Sequence, residues 1–354
     1  MTGRPRHGAL VFKWGALGDL VIATPIIRRI QEHEGRATIL TAPPYGPIFD
    51  GWPGLAVHAV ERRGTAAMCR ALAHLRMGRY ARLYDLQCSD RSRWLCLLSG
   101  VPERIGNAPS PAYTHIPPAA GREKPHPFDT LNALLRAAGA PEAEPRPWLP
   151  TGPAEQEQVS GWCQAHGLRT ERFALFHAGG SGRWESKRWP HYSALGAAVE
   201  RRGVRIVWIG ADEDRVLNQT LAQDIGIDAT DAFSVRGLAE LGRRARFAVT
   251  NDSGPMHVLS CAGIPVYAFF GPTSVAQSHA LGQRQRVLVH PVPCSPCWLP
   301  VCPPSRAHAC MQGLTPGSVV KRLIRDGLLS AAIPSAIPLN CFAPRGDRGG
   351  TCRA

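Results

Sequence analysis

The sequence predicts an α/β protein made of two parallel-sheet halves facing each other across a cleft. Three observations predict it. Short apolar runs alternate with amphipathic segments, the pattern of strands joined by crossover helices. The alternation runs twice, before and after residues 141–153, a stretch with five prolines that reads as a semi-rigid linker. Glycine-rich turns fall where strands end and helices begin, so a cleft would open between the carboxyl ends of both sheets. At 354 residues the chain is long enough for two separate cores.

Ala9 to Trp14 is a short apolar run and the first strand. Gly15-Ala16-Leu17-Gly18 turns the chain, and a helix starts at Asp19 with Leu20, Ile22, Ile26, Ile27 and Ile30 on its apolar face. Ala37 to Leu40 forms a second strand, closed by Thr41-Ala42-Pro43-Pro44. Tyr80 to Leu86 and Arg104-Ile105-Gly106 supply later elements of this half, residues 1–150.

The rhythm restarts in residues 151–330. Phe173 to Phe176 is a strand, His177 to Trp189 a loop, and Pro190 to Arg202 a helix. Val204 to Ile209 is a strand; Gly210 to Asp214 turns into a helix reaching about Ile225. Gly237 to Ala245 reads as a helix and Phe247 to Thr250 as a buried strand. Met256 to Ala262 is a helix, and Pro265 to Phe270 a last strand before Gly271-Pro272-Thr273-Ser274. Residues 331–354, rich in Pro, Gly and Arg without periodicity, read as a disordered tail.

Composition narrows the function. Hydrophobic residues make up 44% and charged residues 19%, a globular balance. No apolar run reaches the roughly 18–20 residues of a membrane span, and Met1 to Trp14 lacks the apolar stretch of a signal peptide, so a cytoplasmic location is expected. The net charge of +14, from 41 Lys+Arg against 27 Asp+Glu, suits an acidic partner such as a phosphorylated substrate or an anionic membrane face. Most of that charge is Arg scattered along helices, and no nucleic-acid-binding signature accompanies it, so no nucleic acid is expected.

Four constellations carry chemistry. In Lys13-Trp14-Gly15-Ala16-Leu17-Gly18-Asp19 the third glycine of a dinucleotide fingerprint is missing, and no Gly-Lys-Ser/Thr follows. Asp19 has two roles open: capping the helix, or acting as a general base at the cleft mouth while Gly15 and Gly18 let substrate approach the backbone. In His177 to Trp189, three glycines offer open amides and Lys187 and Arg188 offer cations. A departing diphosphate needs such charge when no metal is bound, although a solvated basic loop would look alike. Trp184 and Trp189 flank the two cations and could hold them in place.

The third constellation is Asn251-Asp252-Ser253-Gly254-Pro255-Met256-His257, between an apolar strand and a helix with Pro255 in its first turn. Unpaired amides and the helix dipole there make a generic anion site. Asp252 can bind or cap, and His257 can be ligand or core. The fourth is Cys294-x2-Cys297-x4-Cys302-x7-Cys310, four of 11 cysteines, whose thiols could wrap one structural zinc or iron ion or remain reduced.

In their order along the chain, Gly18-Asp19 with Ala23-Thr24-Pro25, Lys187-Arg188-Trp189-Pro190, Asn251 to His257, and Phe270-Gly271-Pro272-Thr273 resemble glycosyltransferase family 9, the lipopolysaccharide heptosyltransferases. The resemblance runs from about Leu10 to Leu329. It implies a GT-B fold of two Rossmann-like domains, acceptor on the N-terminal one and donor on the C-terminal one. It also implies inverting transfer of heptose from ADP-heptose to a phosphorylated lipid A–core glycolipid, with no catalytic cofactor. Asp19 falls on the family's catalytic carboxylate and Lys187 on its diphosphate-binding lysine. Asp252, Ser253, Gly254 and His257 fall on its nucleotide loop, and the ribose-contacting acid falls on Glu213 or Asp214. Ala178 departs from the usual proline, and the cysteine cluster is similar to one in many family members. Peripheral association with the inner membrane's cytoplasmic face is expected from the charge and such an acceptor. Two alternatives stay open: a nucleotide-sugar epimerase or hydrolase on the same fold, and a non-enzymatic, metal-stapled nucleic-acid-binding protein.

Overall fold

The computed structural model describes residues 8–118 and 125–333. The expected tail lies, from residue 334 onward, outside the described residues.

Two parallel sheets organise the chain. The first comprises β1 (Ala9–Phe12), β2 (Ala37–Thr41), β3 (Leu55–Ala59), β4 (Arg82–Asp85) and β5 (Glu103–Ile105), in the order β3-β2-β1-β4-β5. Its helices are α1 (Leu17–Glu34), α2 (Thr65–Met77), α3 (Asp90–Leu98) and α4 (Pro127–Ala137), with a 3-10 segment at Pro43–Phe49. The linker leads into α5 (Pro153–Ala165). The second sheet comprises β6 (Phe173–His177), β7 (Arg205–Trp208), β8 (Ile227–Asp228), β9 (Ala248–Asn251), β10 (Val266–Phe270) and β11 (Val287–Val289), in the order β11-β10-β9-β6-β7-β8. Around it lie α6 (Tyr192–Glu200), α7 (Arg215–Asp224), α8 (Val235–Arg244), α9 (Gly254–Ser260), α10 (Val275–Ser278), α11 (Ala309–Gln312) and α12 (Pro316–Arg325).

Both sheets reverse strand order once, between β1 and β4 and between β6 and β9. Ligand crevices of open α/β sheets form outside the carboxyl ends of strands at such switch points. The predicted motifs sit there: Lys13 to Asp19 follows β1, His177 ends β6, and Asp252-Ser253 follows β9.

α1 begins at Leu17, two residues before the expected start, because Leu20 N–H already donates to Ala16 O at 3.0 Å. Gly18 is therefore a first-turn residue. The proline-rich segment is less a free hinge than a strap held at both sides. Trp148 N–H donates to Thr24 Oγ1 at 3.0 Å, while Arg236 and Arg243 of α8 donate to the carbonyls of Pro150 and Leu149.

One apolar cluster crosses between the halves, joining Ile22, Ile26 and Leu131 to Ala239, Val258 and Cys261. The second sheet has apolar layers on both faces, one built on Trp208, Phe247 and Leu323, the other on Leu175, Val207 and Leu259. Among the described residues no helix is long and apolar enough to cross a membrane.

Candidate active site

A cavity of about 660 Å³ lies between the carboxyl ends of the two sheets. One wall is the start of α1 (Ala16 to Asp19, Ile22) with Tyr45; the other carries His177, Gly180, Lys187, Glu213, Asp214 and Asp252 to His257. A second cavity of about 380 Å³ opens on the N-terminal half, lined by Lys13, Gln87, Cys88, Asn107 and Thr130. Asp19 lines both cavities.

For Asp19 the capping contact is formed, and the side chain also faces the cavities. Its Oδ2 accepts from Ala16 N–H at 3.3 Å, closing the first turn of α1, and the side chain stays exposed at the junction of the cavities. Gly18 is needed one residue earlier: a Cβ there would lie 2.7 Å from His257 Cδ2. Gly15 has φ +130°, and a Cβ on it would meet the Tyr45 ring at 2.4 Å. The turn is thus packed tightly against its neighbours. Behind it, burial lowers the Lys13 ammonium below its ordinary pKa, against the pull of Asp19, Cys88 and Asp85, and its Nζ donates to Leu86 O at 3.2 Å.

Lys187 reaches the cavity already paired. Its Nζ donates to Asp252 Oδ2 at 2.8 Å and to Asp252 O at 3.3 Å, and stands 5.1 Å from the centre of the Trp184 ring. Thr273 Oγ1 also donates to Asp252 Oδ2, at 2.7 Å. Asp252 therefore anchors the lysine at the cavity wall. Trp184 holds Lys187 as expected, whereas Trp189 is a core residue stacked on Phe269 at 4.1 Å. Arg188 does not line the cavity: it donates to Gly180 O at 2.8 Å and braces the glycine loop.

Asn251 fixes that loop from below. Its amide donates to Ala178 O at 3.0 Å and Gly179 O at 2.7 Å, while its Oδ1 accepts from Trp189 N–H at 3.0 Å. The first turn of α9 offers fewer amides than the motif suggests, because Pro255 has none and Met256 N–H is taken by Ser253 O at 3.2 Å.

Sequence reasoning missed a chain of three side chains. Asp214 Oδ2 lies 3.2 Å from His177 Nε2, and His177 Nδ1 lies 3.1 Å from Ser253 Oγ. Asp214 Oδ1 also accepts from Gly180 N–H at 3.2 Å. Burial would raise the Asp214 carboxyl, but His177 and the backbone donors outweigh it and hold the group below the usual range. The two candidate acids thus separate: Asp214 is buried with both oxygens engaged, while Glu213 is exposed on the cavity wall. His177 opens the glycine loop already singled out in the sequence, but nothing there marks its ring as a partner until Asp214 is placed beside it.

His257 lines the cavity from α9 with Nδ1 buried and no protein partner. Burial pushes its pKa down to about 4, despite the pull of Asp252 and Asp19. It is a neutral imidazole near pH 7.

The expected ion site at Cys294, Cys297, Cys302 and Cys310 is not formed. Among the described residues no three of His, Cys, Asp and Glu converge to hold a metal. Burial first, and then the neighbouring thiols, raise the Cys310 pKa, so the four share a neighbourhood. Cys310 is nevertheless packed beside Gly271, while Cys302 turns to Pro303 O at 3.7 Å. The donor set suits a soft ion, but its arrangement does not.

The family model described as Glycosyltransferase family 9 (heptosyltransferase) matches residues 68–307. The chain belongs to this family. As a family 9 glycosyltransferase it is similar to lipopolysaccharide heptosyltransferase 2 of Escherichia coli K12, with 26% identity over 295 residues covering 77% of this chain and 85% of the relative. A family 9 glycosyl transferase from Veillonella parvula superposes with a TM-score of 0.78 at 19% identity, covering 93% of this chain and 98% of that one. The E. coli ADP-heptose lps heptosyltransferase II structure gives a TM-score of 0.71 at 20% identity, covering 91% and 98%. Both have the GT-B architecture, so the expected fold is the observed one. Membership in an enzyme family sets aside the non-enzymatic alternative. The matched span starts after Asp19, so the case for that carboxylate rests on geometry and on the Gly18-Asp19 motif.

Proposed function

We propose that this glycosyltransferase moves a heptose from an ADP-activated donor to a phosphorylated core glycolipid, with inversion at the anomeric carbon. The observation that carries the reading is an exposed carboxylate, Asp19, which among the described residues is the one acid lining both cavities. The larger cavity suits the donor. Ile209, Ala229, Phe233, Val235 and Leu238 give it an apolar end for adenine, Glu213 an exposed acid for ribose, and Lys187 with Ser253 a polar end for diphosphate. The smaller one suits the acceptor, since Lys13, Gln87, Asn107 and Thr130 offer hydrogen-bonding groups beside the base. The names of the E. coli relative and structure support donor and acceptor class.

In this mechanism an acceptor hydroxyl oxygen attacks the anomeric carbon and its proton passes to Asp19. The bond from that carbon to the β-phosphate oxygen breaks, and its electron pair leaves with ADP. Lys187 needs no recruitment: Asp252 and Trp184 already hold it on the cavity wall, and a cation fixed in advance beside the leaving diphosphate stabilises developing charge most effectively. Asp214 and His177, with Asn251 O, fix the Ser253 side chain on the cavity wall beside the diphosphate. Arg188 acts only through the glycine loop. The four cysteines take no part in the reaction.

The test has two arms. ADP-heptose, UDP-sugars and GDP-sugars are compared by thermal shift, with selective stabilisation by the ADP compound expected. Asp19→Asn is then assayed for transfer. Loss of a positioned base costs about 10²–10⁴ in rate, so turnover falls by that factor while the thermal shift with donor persists. Turnover within a few-fold of wild type would refute the role.

A further inference from the structure

The layer formed by α2 and α3 presents an outward face that the fold does not need. The inward positions of the two helices, Ala67, Ala71 and Leu75 with Leu95 and Cys96, complete the apolar cluster over the first sheet. On the other side Met77 is 75% exposed, Trp94 62%, Leu98 46% and Leu97 39%. Trp94, Leu97 and Leu98 recur at the three- to four-residue spacing of one helix stripe. The helices lie side by side: Arg76 Nε donates to Leu98 O at 3.0 Å, and Arg91 donates to the carbonyl of Arg62.

Isolated exposed apolar residues need no explanation, but a contiguous set rimmed by charge marks an interaction surface. The rim here is basic. Arg62, Arg70, Arg76 and Arg91 are exposed on or beside the two helices, against Glu61 and Asp90, and Asp90 is already paired with Arg93 at 3.2 Å. Tryptophan with leucine and methionine inside an arginine rim is the chemistry of a headgroup–acyl boundary, where the ring sits at the interface and the guanidinium groups meet anionic headgroups.

We propose that this face seats the protein on an anionic lipid bilayer. The placement matches that role. Gln87 and Cys88, which line the smaller cavity with Asp19, immediately precede α3. Trp94 follows Ser89 by five residues, about 8 Å along the helix axis. A bilayer touching Trp94 therefore borders the mouth of the cavity assigned to the acceptor, so a lipid-anchored sugar can reach Asp19 without leaving the membrane. This last step rests on the functional reading above; the docking face does not.

The experiment uses the full chain and vesicles of equimolar phosphatidylcholine and phosphatidylglycerol, with pure phosphatidylcholine as the reference. The protein is expected to sediment with the anionic vesicles, less so as salt rises. Each arginine at such a surface is worth about fivefold in binding, so Arg62→Gln, Arg63→Gln and Arg70→Gln, exposed side chains that hold no helix contact among the described residues, together lower vesicle affinity on the order of a hundredfold. Trp94→Ser with Leu98→Ser removes the salt-resistant part. Melting temperature and the thermal shift with ADP-heptose are read on every variant and are expected to stay at wild-type values, which excludes misfolding. Absence of vesicle binding, or binding unchanged in both variants, overturns the proposal. So does a wild-type dimer in light scattering that becomes monomeric in the variants, which would assign the face to a second copy. If ADP-heptose gives no shift while vesicle binding responds as expected, the donor reading fails and the docking face stands.

Discussion

Replacing Asp214 with Asn is the sharpest probe of the buried chain behind the larger cavity. The carboxylate is 3% exposed and accepts two hydrogen bonds, from His177 Nε2 and Gly180 N–H, each at 3.2 Å. A carboxamide has one acceptor oxygen, so one of these donors faces an NH₂ and loses its partner. Hydrogen bonds to charged groups are worth about 1.5–3 kcal/mol, and the residual bond becomes a neutral one. With an unfolding entropy of about 2.1 cal/mol/K per residue over one cooperative unit of roughly 320 residues, each kcal/mol moves Tm by about 1.5 °C, giving a fall of about 2–5 °C at neutral pH. The pH dependence adds a sign. Because the folded Asp214 pKa is depressed, its stabilisation is complete above the unfolded value of about 3.9 and is lost as pH falls through the folded pKa. The gap between wild type and variant therefore narrows below about pH 4. Calorimetry across pH measures it, alongside ADP titration, which should weaken as Ser253 loses its orientation through His177. An unchanged Tm at pH 7, or a gap that widens in acid, would refute the reasoning.

Three further outcomes follow from distances in the cleft. Gly18→Ala places a Cβ 2.7 Å from His257 Cδ2; overpacking of about 1–3 kcal/mol outweighs the roughly 1 kcal/mol helix-propensity gain, so both Tm and turnover drop, and a stabilised variant would contradict the contact. Lys187→Met leaves the Asp252 carboxylate, 5% exposed, without its cation; the cost is about 3 kcal/mol, the low end for breaking a buried pair, and adding Asp252→Asn should restore Tm without restoring ADP binding. Burial holds His257 at a pKa of about 4, so its NMR ring signals should stay flat from pH 8 to pH 5. Its contribution to stability is present above the unfolded value of about 6.5 and lost as pH falls from there toward 4; a ring titrating near pH 6.5 would remove this argument.

The sheet halves and their switch points were legible because buried parallel strands are continuous apolar runs bounded by glycine turns, as at Ala9–Phe12 and Val266–Phe270. Less visible were α2 and α3, whose arginines and small residues blur the apolar period, and β3, where only Leu55 is well buried. Residue types at the site were legible where a turn imposes them: Gly18, Asp19, Lys187, Ser253. What spacing cannot carry is partnership between distant segments. Asp252 next to Lys187, Asp214 next to His177, and Asn251 beneath the glycine loop are pairings across 37 to 73 residues, created by the parallel sheet. The cysteine cluster shows the converse: the four thiols share a neighbourhood, yet among the described residues they are not arranged to hold one ion.

The apolar cluster that runs from Ile22 and Leu131 through to Val258 and Cys261 has a consequence for how this enzyme can be cut and recombined. Severing the chain within 141–152 would uncover hydrocarbon on both fragments, so neither should fold alone, and melting should be one cooperative event. An N-terminal lobe borrowed from a relative would have to bring along the matching surface of α9, which also carries His257. Exchanging one lobe is thereby tied to the integrity of the other.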